Sequence, residues 1–462
     1  MSHTKWLRLL IIILGLIIFS LTFLSIISNN VDNVKDQNNT LVLNKKSISN
    51  NSHTIEPNTN IEKDDLIDGI KDYEYKEFAV IYSNYIKKHN QTIENLLNST
   101  NTFTSLPKVV VVKPDMLTGH GNRLPGIICG FLYSIISDRL FFIEGYENFE
   151  YYFEKDFDHD WNTVSSLYKN STFKYLHDIA NNDFSLITKR NLSDKKVKSY
   201  DILYVHTWDY ACAPVMSNPH YKKWFDEVIP DYKVFTAISL KLLRLRSNIN
   251  KQVKTFIKNN FNKYNIGVYL RSRRSVYDMI TPVEHYSQAV KALLLRINEK
   301  KVSIFIIADT NVDRDSLLSA LHKSIDSSKM NSLKINYVKN NLDMTDPINY
   351  NLGVELNALI NMKILSFCDD MIITYGCSFG FTAAGWSYKA INRFRGPYIV
   401  MPIENTTNDL WVVDKVWIWG AGSSEPCMYL SKSLIDSEDR ETVRLFKSNP
   451  LWIHYIQCHW PV

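Results

Sequence analysis

Residues 371–386 read MIITYGCSFGFTAAGW, and this stretch decides the fold class. Met371–Thr374 is apolar or β-branched throughout, which predicts a short buried strand. Ser378 and Gly380 then lead into a helix of small residues. The first N–H groups of a helix have no partner inside it, and together with the hydroxyls of Thr374 and Ser378 they suit an anion such as a phosphate. The alternative interpretation is a tight turn whose glycines only permit close packing, since such junctions are common in α/β proteins.

Strands and helices alternate on the way to this stretch. We predict strands at Ile266–Leu270, Val302–Ala308 and Leu333–Val338, and helices at Pro282–Ile297, Arg314–Ile325 and Val354–Phe367. An upstream unit repeats the pattern with a strand at Lys108–Val112, a helix at Ile127–Ser137 and a strand at Leu140–Ile143. Such alternation indicates parallel sheets covered by helices. We therefore expect an α/β protein with two Rossmann-like, doubly wound domains that face a cleft at the carboxyl ends of their strands.

A glycine loop follows the first strand of the upstream unit. Gly119 and Gly121 permit close approach of the backbone to a ligand, and Asn122 offers two donors and an acceptor. Arg123 offers a planar guanidinium that matches a phosphate. A single G-x-G is a weak motif, however, and an arginine at a helix start is often a surface charge. Both interpretations of this loop stay open on the sequence.

Two polar residues stand directly after predicted strands. Arg271 follows Ile266–Leu270, so its guanidinium can reach into the cleft and pair with a diphosphate, although Arg273 and Arg274 beside it have the composition of solvated charges. Asp309 follows the next strand, where it can accept hydrogen bonds from a nucleotide base or ribose. Its alternative role is to cap the helix that follows.

The N-terminus carries an apolar run at residues 6–27 that is long enough to span a bilayer core. Lys5 and Arg8 stand at its start, whereas Asp32 and Asp36 follow it, which predicts a cytosolic N-terminus and a lumenal body. A cleaved signal peptide is the alternative, but no A-x-A-like cleavage site follows the run. We therefore predict a signal-anchor helix.

Composition supports a globular body with a polar connection to this helix. The chain has 462 residues, of which 45% are hydrophobic and 22% are charged, so it has room for two α/β domains. The formal net charge is +5, without a basic stripe, and we expect no nucleic-acid binding. Residues 28–104 are polar and predict a stem with a helix at Tyr73–His89 near its end. Sequons in agreement with a lumenal body stand at Asn38, Asn50, Asn90, Asn98, Asn170, Asn191 and Asn405.

The predicted organisation has six parts. They are a cytosolic tail (1–5), the membrane helix (6–27), the stem (28–104), an N-terminal α/β domain on the acceptor side (105–235), a C-terminal α/β domain on the donor side (236–402) and a C-terminal tail (403–462). Two aromatic stretches in the first domain, Tyr146–Trp161 and His206–Tyr210, suit sugar stacking. Core packing explains them as well, and we favour it.

Four stretches together resemble the plant xyloglucan fucosyltransferase family and, more distantly, the α-1,2-, α-1,6- and protein O-fucosyltransferases. They are G-x-G-N-R-L with its helix and D-R-L strand (119–140), G-V-Y-L-R (267–271), I-I-T-x-x-x-S-F-G-F-x-A-x-G (372–385) and S-E-P-C (424–427). The resemblance implies a two-domain, GT-B-like, metal-independent and inverting transferase with GDP-fucose as donor and no cofactor. It also implies a Golgi membrane enzyme of type II topology that acts in cell-wall or glycan biosynthesis.

The resemblance carries over to single residues. It assigns Arg271 to the GDP diphosphate, Asn122 and Arg123 to the loop that faces the donor, and Ser378 with its two successors to the phosphate-side turn. The α-1,2 and α-1,6 enzymes carry His where this chain has Tyr269, which is a departure from their pattern. The residues predicted to bind GDP-fucose are Gly119, Gly121, Asn122, Arg123, Arg271, Asp309, Thr374, Ser378, Phe379 and Gly380.

Six widely spaced cysteines form no C-x-x-C pattern, and we expect no metal site. Disulfides are expected in an oxidising lumen. Cys427 and Cys458 resemble the E-P-C and terminal cysteines of the family, so the resemblance implies that they pair. Cys129 and Cys368 lie in apolar helical segments and are predicted to be buried free thiols.

The chemistry of fucosyl transfer sets the catalytic candidates. Negative charge grows on the β-phosphate of GDP as the bond to the sugar breaks, and Arg271 is the candidate that stabilises it. A base must take the proton of the acceptor hydroxyl, and Asp209 and His120 are candidates. We expect GDP-fucose and a glycan or glycoprotein acceptor as partners, and leave a homodimer open. The alternatives are a lumenal carbohydrate- or nucleotide-binding protein of the same fold without transfer activity, and a transferase for another GDP-sugar.

Overall fold

A computed structural model of the chain describes residues 75–98, 105–177, 183–207, 210–271, 281–338, 352–387, 396–400, 412–413, 416–427, 434–435 and 437–457. They all belong to one compact unit, Asn60–Val462. The predicted membrane helix at 6–27 and most of the predicted stem lie outside the described residues. Among the helices that are described, none is long and apolar enough to cross a membrane.

A parallel sheet of four strands forms the first half of the unit. Its strands are β1 (Val109–Val112), β2 (Leu140–Ile143), β3 (Phe173–His177) and β4 (Ile202–Val205), in the order β2-β1-β4-β3. The four valines of β1 are fully buried between β2 and β4, as expected of a central parallel strand. The sequence predicted β1 and β2 but missed β3 and β4, of which β3 is partly exposed at the sheet edge.

A second sheet of seven strands forms the other half. Its strands are β5 (Tyr264–Leu270), β6 (Val302–Ala308), β7 (Lys334–Asn336), β8 (Asp370–Thr374), β9 (Tyr398–Val400), β10 (Val412–Val413) and β11 (Val416–Gly420). The order is β10-β11-β9-β8-β5-β6-β7, with β5 to β9 parallel and the β11–β10 pair added antiparallel. From the central pair β5 and β8, the chain continues to β6 and β7 on one side and to β9 on the other. A crevice at the carboxyl ends of these two strands is where ligands bind in open α/β sheets.

Helices cover both sheets. They are α1 (Lys76–Asn98), α2 (His120–Ser137), α3 (Phe149–Tyr152), α4 (Phe184–Lys189), α5 (Lys195–Lys198), α6 (Ala213–Met216), α7 (Lys222–Val228), α8 (Val234–Leu242), α9 (Ser247–Asn260), α10 (Val283–Arg296), α11 (Asn311–Ser324), α12 (Ser327–Ser332), α13 (Leu352–Leu365), α14 (Ser378–Gly385), α15 (Arg440–Lys447) and α16 (Trp452–Gln457). The mixed α/β class with parallel sheets is therefore confirmed.

Helix α2 begins at His120, seven residues before its predicted start at Ile127. Pro125 lies within it without ending it. A proline lacks the N–H that would bond to the carbonyl four residues earlier, here that of Gly121. That carbonyl instead accepts a hydrogen bond from Oγ1 of Thr382 in α14, at 2.9 Å. The helix tolerates Pro125 because a residue of the other half supplies the missing donor.

The segment predicted as a C-terminal tail takes part in both halves. Strands β10 and β11 extend the second sheet. Farther along, α15 packs against α4, and the side chain of Asn449 donates to the carbonyl of Ala213 at 2.8 Å. The C-terminal segment therefore contributes strands to the second sheet and then packs against helices of the first half, so it connects the two halves. The exact domain boundaries stay a prediction.

One prediction about the cysteines is wrong. Cys129 is not a free thiol but forms a disulfide with Cys212, with their Cα atoms 5.0 Å apart. The bond ties the middle of α2 to the start of α6, and nothing in the sequence predicted that these two segments lie together. Cys368 is buried as a thiol, as predicted. Cys427 is disulfide-bonded, but its predicted partner Cys458 lies outside the described residues, so their pairing stays a prediction.

The aromatic stretch Tyr146–Trp161 belongs to the core. Phe149, Tyr152 and Phe153 are at most 2% exposed. Tyr151 is the exception at 43%. Core packing, the interpretation we favoured from the sequence, therefore accounts for most of this stretch.

Candidate functional site

Arg271 lies at the crevice between β5 and β8, where the second sheet reverses its order. Its backbone N–H donates to Oγ1 of Thr374 at 2.8 Å. The same hydroxyl contacts the hydroxyl of Tyr286 at 2.8 Å and donates to the carbonyl of Tyr269 at 3.2 Å. These contacts use the hydrogen and both lone pairs of the Thr374 hydroxyl. Thr374 therefore holds the backbone of Arg271 in place, and its hydroxyl has no capacity left for the direct phosphate contact that the sequence suggested.

The side chain of Arg271 has polar neighbours on three elements. Arg271 is exposed, whereas Tyr269, two residues earlier on β5, is buried and donates to Oδ1 of Asp309 at 3.3 Å. Charge interactions with Cys377, then Tyr269 and Asp309, raise the pKa of Arg271. The guanidinium is therefore a permanent cation that solvent and ligands can reach at the end of a rigid strand.

Asp309 is 6% exposed at the end of β6. Its alternative role as a helix cap is excluded, because Thr310 occupies the cap of α11 and its side chain accepts from the N–H of Asp313. Asp309 instead faces Tyr269 beside the crevice. The contact of Asp309 with the donor nucleotide stays a prediction.

Two helix starts converge next to Arg271. Helix α14 starts at Ser378 after Cys377, and α2 starts at His120 after Gly119, and neither cap residue makes a side-chain hydrogen bond to its helix. A methyl group placed on Gly121 would lie 2.6 Å from the backbone nitrogen of Phe379, so the two first turns touch. The N–H groups of a first turn lack partners within the helix and carry the positive end of its dipole. The pair forms a surface suited to an anion.

The other predicted residues of these turns have mixed positions. Ser378 and Asn122 are half-buried. Phe379 is buried and its ring lies 4.5 Å from that of Tyr269, so only its backbone suits a ligand contact. Gly380 packs on β8, where an added methyl group would lie 2.8 Å from Cβ of Ile373. Its lack of a side chain is thus explained by packing, which was the alternative interpretation of the glycines here.

Arg123 does not face the crevice. It is 1% exposed, and its guanidinium donates to Oε1 of Glu355 at 2.8 Å and to the carbonyl of Met116 at 2.9 Å. Burial alone would raise the pKa of Glu355, but hydrogen bonds from Tyr152 and Arg123 and the charge of Arg123 outweigh it and lower the pKa. The prediction that Arg123 contacts the donor conflicts with this geometry. The arginine is one partner of a buried ion pair between the two halves.

His120 is likewise unsuited to the role of catalytic base. It is 2% exposed, its Nε2 contacts the carbonyl of Glu355 at 3.1 Å, and its Nδ1 contacts the hydroxyl of Tyr146 at 2.8 Å. Burial lowers the pKa of His120 to about 4. Both ring nitrogens are engaged, so no lone pair is available to an acceptor hydroxyl. The other candidate, Asp209, lies outside the described residues.

Sequence reasoning missed Glu355 and Tyr152. Glu355 is the only charged residue in the first ten residues of α13, LGVELNALIN, and this was the one available signal. A buried acid needs a partner, but the sequence does not say that the partner is Arg123, 232 positions away. Within the described residues, no group of three or more His, Cys, Asp or Glu side chains is arranged to hold a metal ion.

Four of the predicted sequons lie in described residues. Asn90, Asn98 and Asn170 are exposed. Asn191 is half-buried, and its side-chain oxygen accepts from the N–H of Ser193 at 2.8 Å and from the hydroxyl of Tyr221 at 3.2 Å. The first three are therefore the more accessible candidates, while glycosylation itself stays a prediction.

Comparisons with known proteins bear on the fold. No protein-family model matches the chain, and no curated protein matches it. An Arg-to-Lys mutant of FUT1 from Arabidopsis thaliana in complex with GDP is similar in structure, with a TM-score of 0.56 at 16% identity over 76% of this chain and 84% of that one. Fucosyltransferase NodZ from Bradyrhizobium gives a TM-score of 0.40 at 15% identity, over 68% and 99% of the two chains. POFUT1 in complex with GDP gives 0.34 at 13%, over 62% and 95%. The first similarity shows a shared fold, and the other two are weaker.

Proposed function

We propose that this protein transfers fucose from GDP-fucose to a hydroxyl group of a glycan acceptor, with inversion at the anomeric carbon and without a metal ion. The observation that carries the proposal is the position of Arg271. It is an exposed cation with its backbone fixed by Thr374, and it stands beside two converging helix starts at the crevice of an α/β sheet. The shared fold with a fucosyltransferase that was crystallised with GDP supports the same assignment.

The geometry suggests how transfer proceeds. The acceptor oxygen attacks the anomeric carbon while the bond from that carbon to the β-phosphate oxygen breaks, and both electrons of the broken bond leave with GDP. The negative charge then grows at the diphosphate, where Arg271 and the first-turn N–H groups stabilise the transition state more than the ground state. The hydrogen-bonded pair of Tyr269 and Asp309 lies beside Arg271 and forms a polar boundary of this diphosphate site.

A base must accept the proton that the acceptor hydroxyl loses. His120 is enclosed, so Asp209 is the remaining candidate from the sequence. The Asp209→Asn variant is expected to lose transfer while retaining GDP binding, since a base acts on the acceptor and not on the donor.

The setting of the reaction is part of the proposal. The apolar run 6–27 with Lys5 and Arg8 at its start supports a single-pass anchor of type II topology in the Golgi membrane, with the α/β unit in the lumen. The disulfide between Cys129 and Cys212 is compatible with that oxidising compartment.

The test uses the full chain purified in detergent. GDP binding is measured first by calorimetry, and GDP-fucose is then supplied with galactoside, N-glycan core and Ser/Thr peptide acceptors. Formation of a fucosylated product supports the proposal. GDP binding without product and without release of fucose to water favours a binding protein of the same fold. Turnover of another GDP-sugar in place of GDP-fucose identifies the second alternative, and absence of GDP binding overturns the proposal.

A further inference from the structure

A buried polar network joins the two halves directly behind the helix starts. Its centre is Glu355 in α13, and its partners all come from the first half. Oε1 of Glu355 accepts from Arg123 at 2.8 Å, and Oε2 accepts from the hydroxyl of Tyr152 at 2.7 Å. The backbone carbonyl of Glu355 contacts Nε2 of His120 at 3.1 Å. One residue thus fixes the first turn of α2 at two points.

The orientation of His120 follows from these contacts. A carbonyl oxygen only accepts, so Nε2 carries the proton and donates to Glu355. The neutral ring then offers Nδ1 as an acceptor to the hydroxyl of Tyr146, 2.8 Å away. Because burial lowers the pKa of His120 to about 4, the ring keeps this neutral state at physiological pH. The first residue of α2 therefore has one defined orientation, and Glu355 sets it.

The network determines the spacing of the two helix starts. Helix α2 touches α14 through Gly121, whose carbonyl accepts from Thr382 at 2.9 Å. This contact leaves no side chain between the two backbones. The angle and distance between the two turns therefore depend on the contacts that hold the start of α2 on its other side. These are the contacts of Glu355 with Arg123 and His120.

We propose that Glu355 is a positioning residue that holds the two helix starts together as one anion-binding surface for the donor diphosphate. The proposal rests on the proposed function for the identity of the ligand. Glu355 itself does not touch the ligand, since its carboxylate is occupied by Arg123 and Tyr152. It acts through the position of first-turn N–H groups. A residue with this role changes the affinity for GDP more than it changes stability.

The test compares three variants of the full chain. Glu355→Gln keeps the shape of the side chain but removes its charge and places an N–H₂ group opposite a donor. Tyr152→Phe removes one hydrogen bond and keeps the ring. Tyr133→Phe is the matched control, because its buried hydroxyl contacts His177 at 2.8 Å and donates to the carbonyl of Ala211, away from both helix starts. We expect the Kd for GDP to rise about tenfold in Glu355→Gln and about threefold in Tyr152→Phe, with no change in the control.

Thermal melting separates positioning from ordinary structural support. If Glu355→Gln and Tyr152→Phe melt at lower temperature but bind GDP as tightly as the wild type, Glu355 is only a structural ion-pair partner and the proposal is overturned. If the control loses affinity as much as Tyr152→Phe, the effect is a general loss of stability, which also overturns it.

Amide hydrogen exchange keeps this test independent of the proposed function. Exchange is measured without ligand in peptides that contain Gly121 and Ser378–Gly380. The proposal expects exchange about tenfold faster there in Glu355→Gln than in the control, because the first turns separate. If wild-type protein does not bind GDP, the proposed function fails, yet faster exchange in these peptides still supports the positioning role. Unchanged exchange overturns that role whatever the ligand.

Discussion

Arg271 is the single side chain on which the proposed chemistry depends most. The predicted strand before Arg271 is confirmed as β5. The hydrogen bond from the backbone N–H of Arg271 to Thr374 fixes the backbone position from which the side chain extends. Arginine presents a planar fork of donors to a phosphate, whereas lysine presents a point charge. Substitutions at this position therefore separate the contribution of charge from that of geometry.

We predict that Arg271→Ala lowers kcat by about 10²–10³-fold, the effect of removing one preorganised donor from a developing anion. Arg271→Lys keeps the charge but loses the fork and recovers only part of the rate. The measurement is kcat with GDP-fucose and an accepted glycan, with thermal melting to confirm folding. Arg296→Ala, an exposed arginine at the end of α10, is the control and leaves kcat unchanged. A folded Arg271→Ala enzyme with wild-type kcat would show that this arginine is only a surface charge.

Single residues also show where inference from the sequence stops. A strand followed by arginine predicted the place of Arg271, because backbone position depends on local sequence. The family resemblance assigned Arg123 to the loop that faces the donor, although Arg123 pairs with Glu355 inside the protein. Local sequence does not distinguish a cation that faces a cleft from one buried against a carboxylate 232 positions away. Only the packing of the two halves decides between these outcomes.

At the scale of elements, the contact between α2 and α14 is the feature that builds the site. Each helix has a glycine in its first turn, Gly121 in α2 and Gly380 in α14, and both lack a side-chain cap. The sequence predicted a helix after β8 and left open whether its first turn binds an anion or only permits close packing. It placed the start of α2 seven residues late, because the apolar run begins only at Ile127, whereas the helix begins at His120 and includes Pro125.

Gly121→Ala tests this contact. The added methyl group would lie 2.6 Å from the backbone nitrogen of Phe379, and backbone cannot move aside as a flexible side chain does. We predict a loss of about 1–3 kcal/mol in the free energy of unfolding, as for other overpacked sites, despite the better helix propensity of alanine. GDP binding should weaken as well, because the two first turns are pushed apart.

The measurements are chemical denaturation and GDP calorimetry, with Gly420→Ala as the control. A methyl group at Gly420 meets no atom closer than 3.9 Å. Equal stability and equal GDP affinity in Gly121→Ala and wild type would mean that the helix starts are not in close contact in solution.

At the scale of the whole molecule, the end of the chain connects the two sheets. After β11 the chain passes Glu425, which is fully buried at the start of α8. Oε1 of Glu425 accepts from the N–H of Phe235 at 3.0 Å, and Oε2 accepts from the hydroxyl of Tyr210. The backbone carbonyl of Glu425 contacts Nε2 of His454 at 2.8 Å. The sequence identified this stretch only through a family resemblance and assigned it no structural role.

Strands β1, β2 and β5 to β8 were predictable from local patterns of apolar residues, whereas β3, β4 and β9 to β11 were not predicted. The way the halves join was not predictable. It depends on the Glu355 network and on the return of the C-terminal segment, both of which connect residues far apart in the sequence. The Glu355 network belongs to the candidate site, and local sequence patterns could not predict it.

The buried carboxyl of Glu425 makes the stability of the molecule depend on pH. Burial raises the pKa of Glu425 from 4.5 to about 8, against hydrogen bonds from Tyr210 and Phe235 that lower it. Between these two values the folded protein binds a proton at this position that the unfolded chain has released. The free energy of unfolding must therefore fall as the pH rises from about 5 to 8, by up to about 1.4 kcal/mol per pH unit, and level off above that range.

Glu425→Gln isolates this effect because glutamine does not titrate. Other buried groups change protonation nearby, and His454, whose pKa burial lowers to about 4, contributes the opposite slope below about pH 6.5. The difference in unfolding free energy between wild type and variant cancels such terms. We predict that, with rising pH, this difference shifts steadily in favour of the variant up to about pH 8. Glu227→Gln, at an exposed glutamate, serves as the control with no such trend. A difference that stays constant from pH 5 to 9 would mean that Glu425 is ionised in the folded protein throughout, and that the C-terminal segment is joined to the first half by a charged carboxylate.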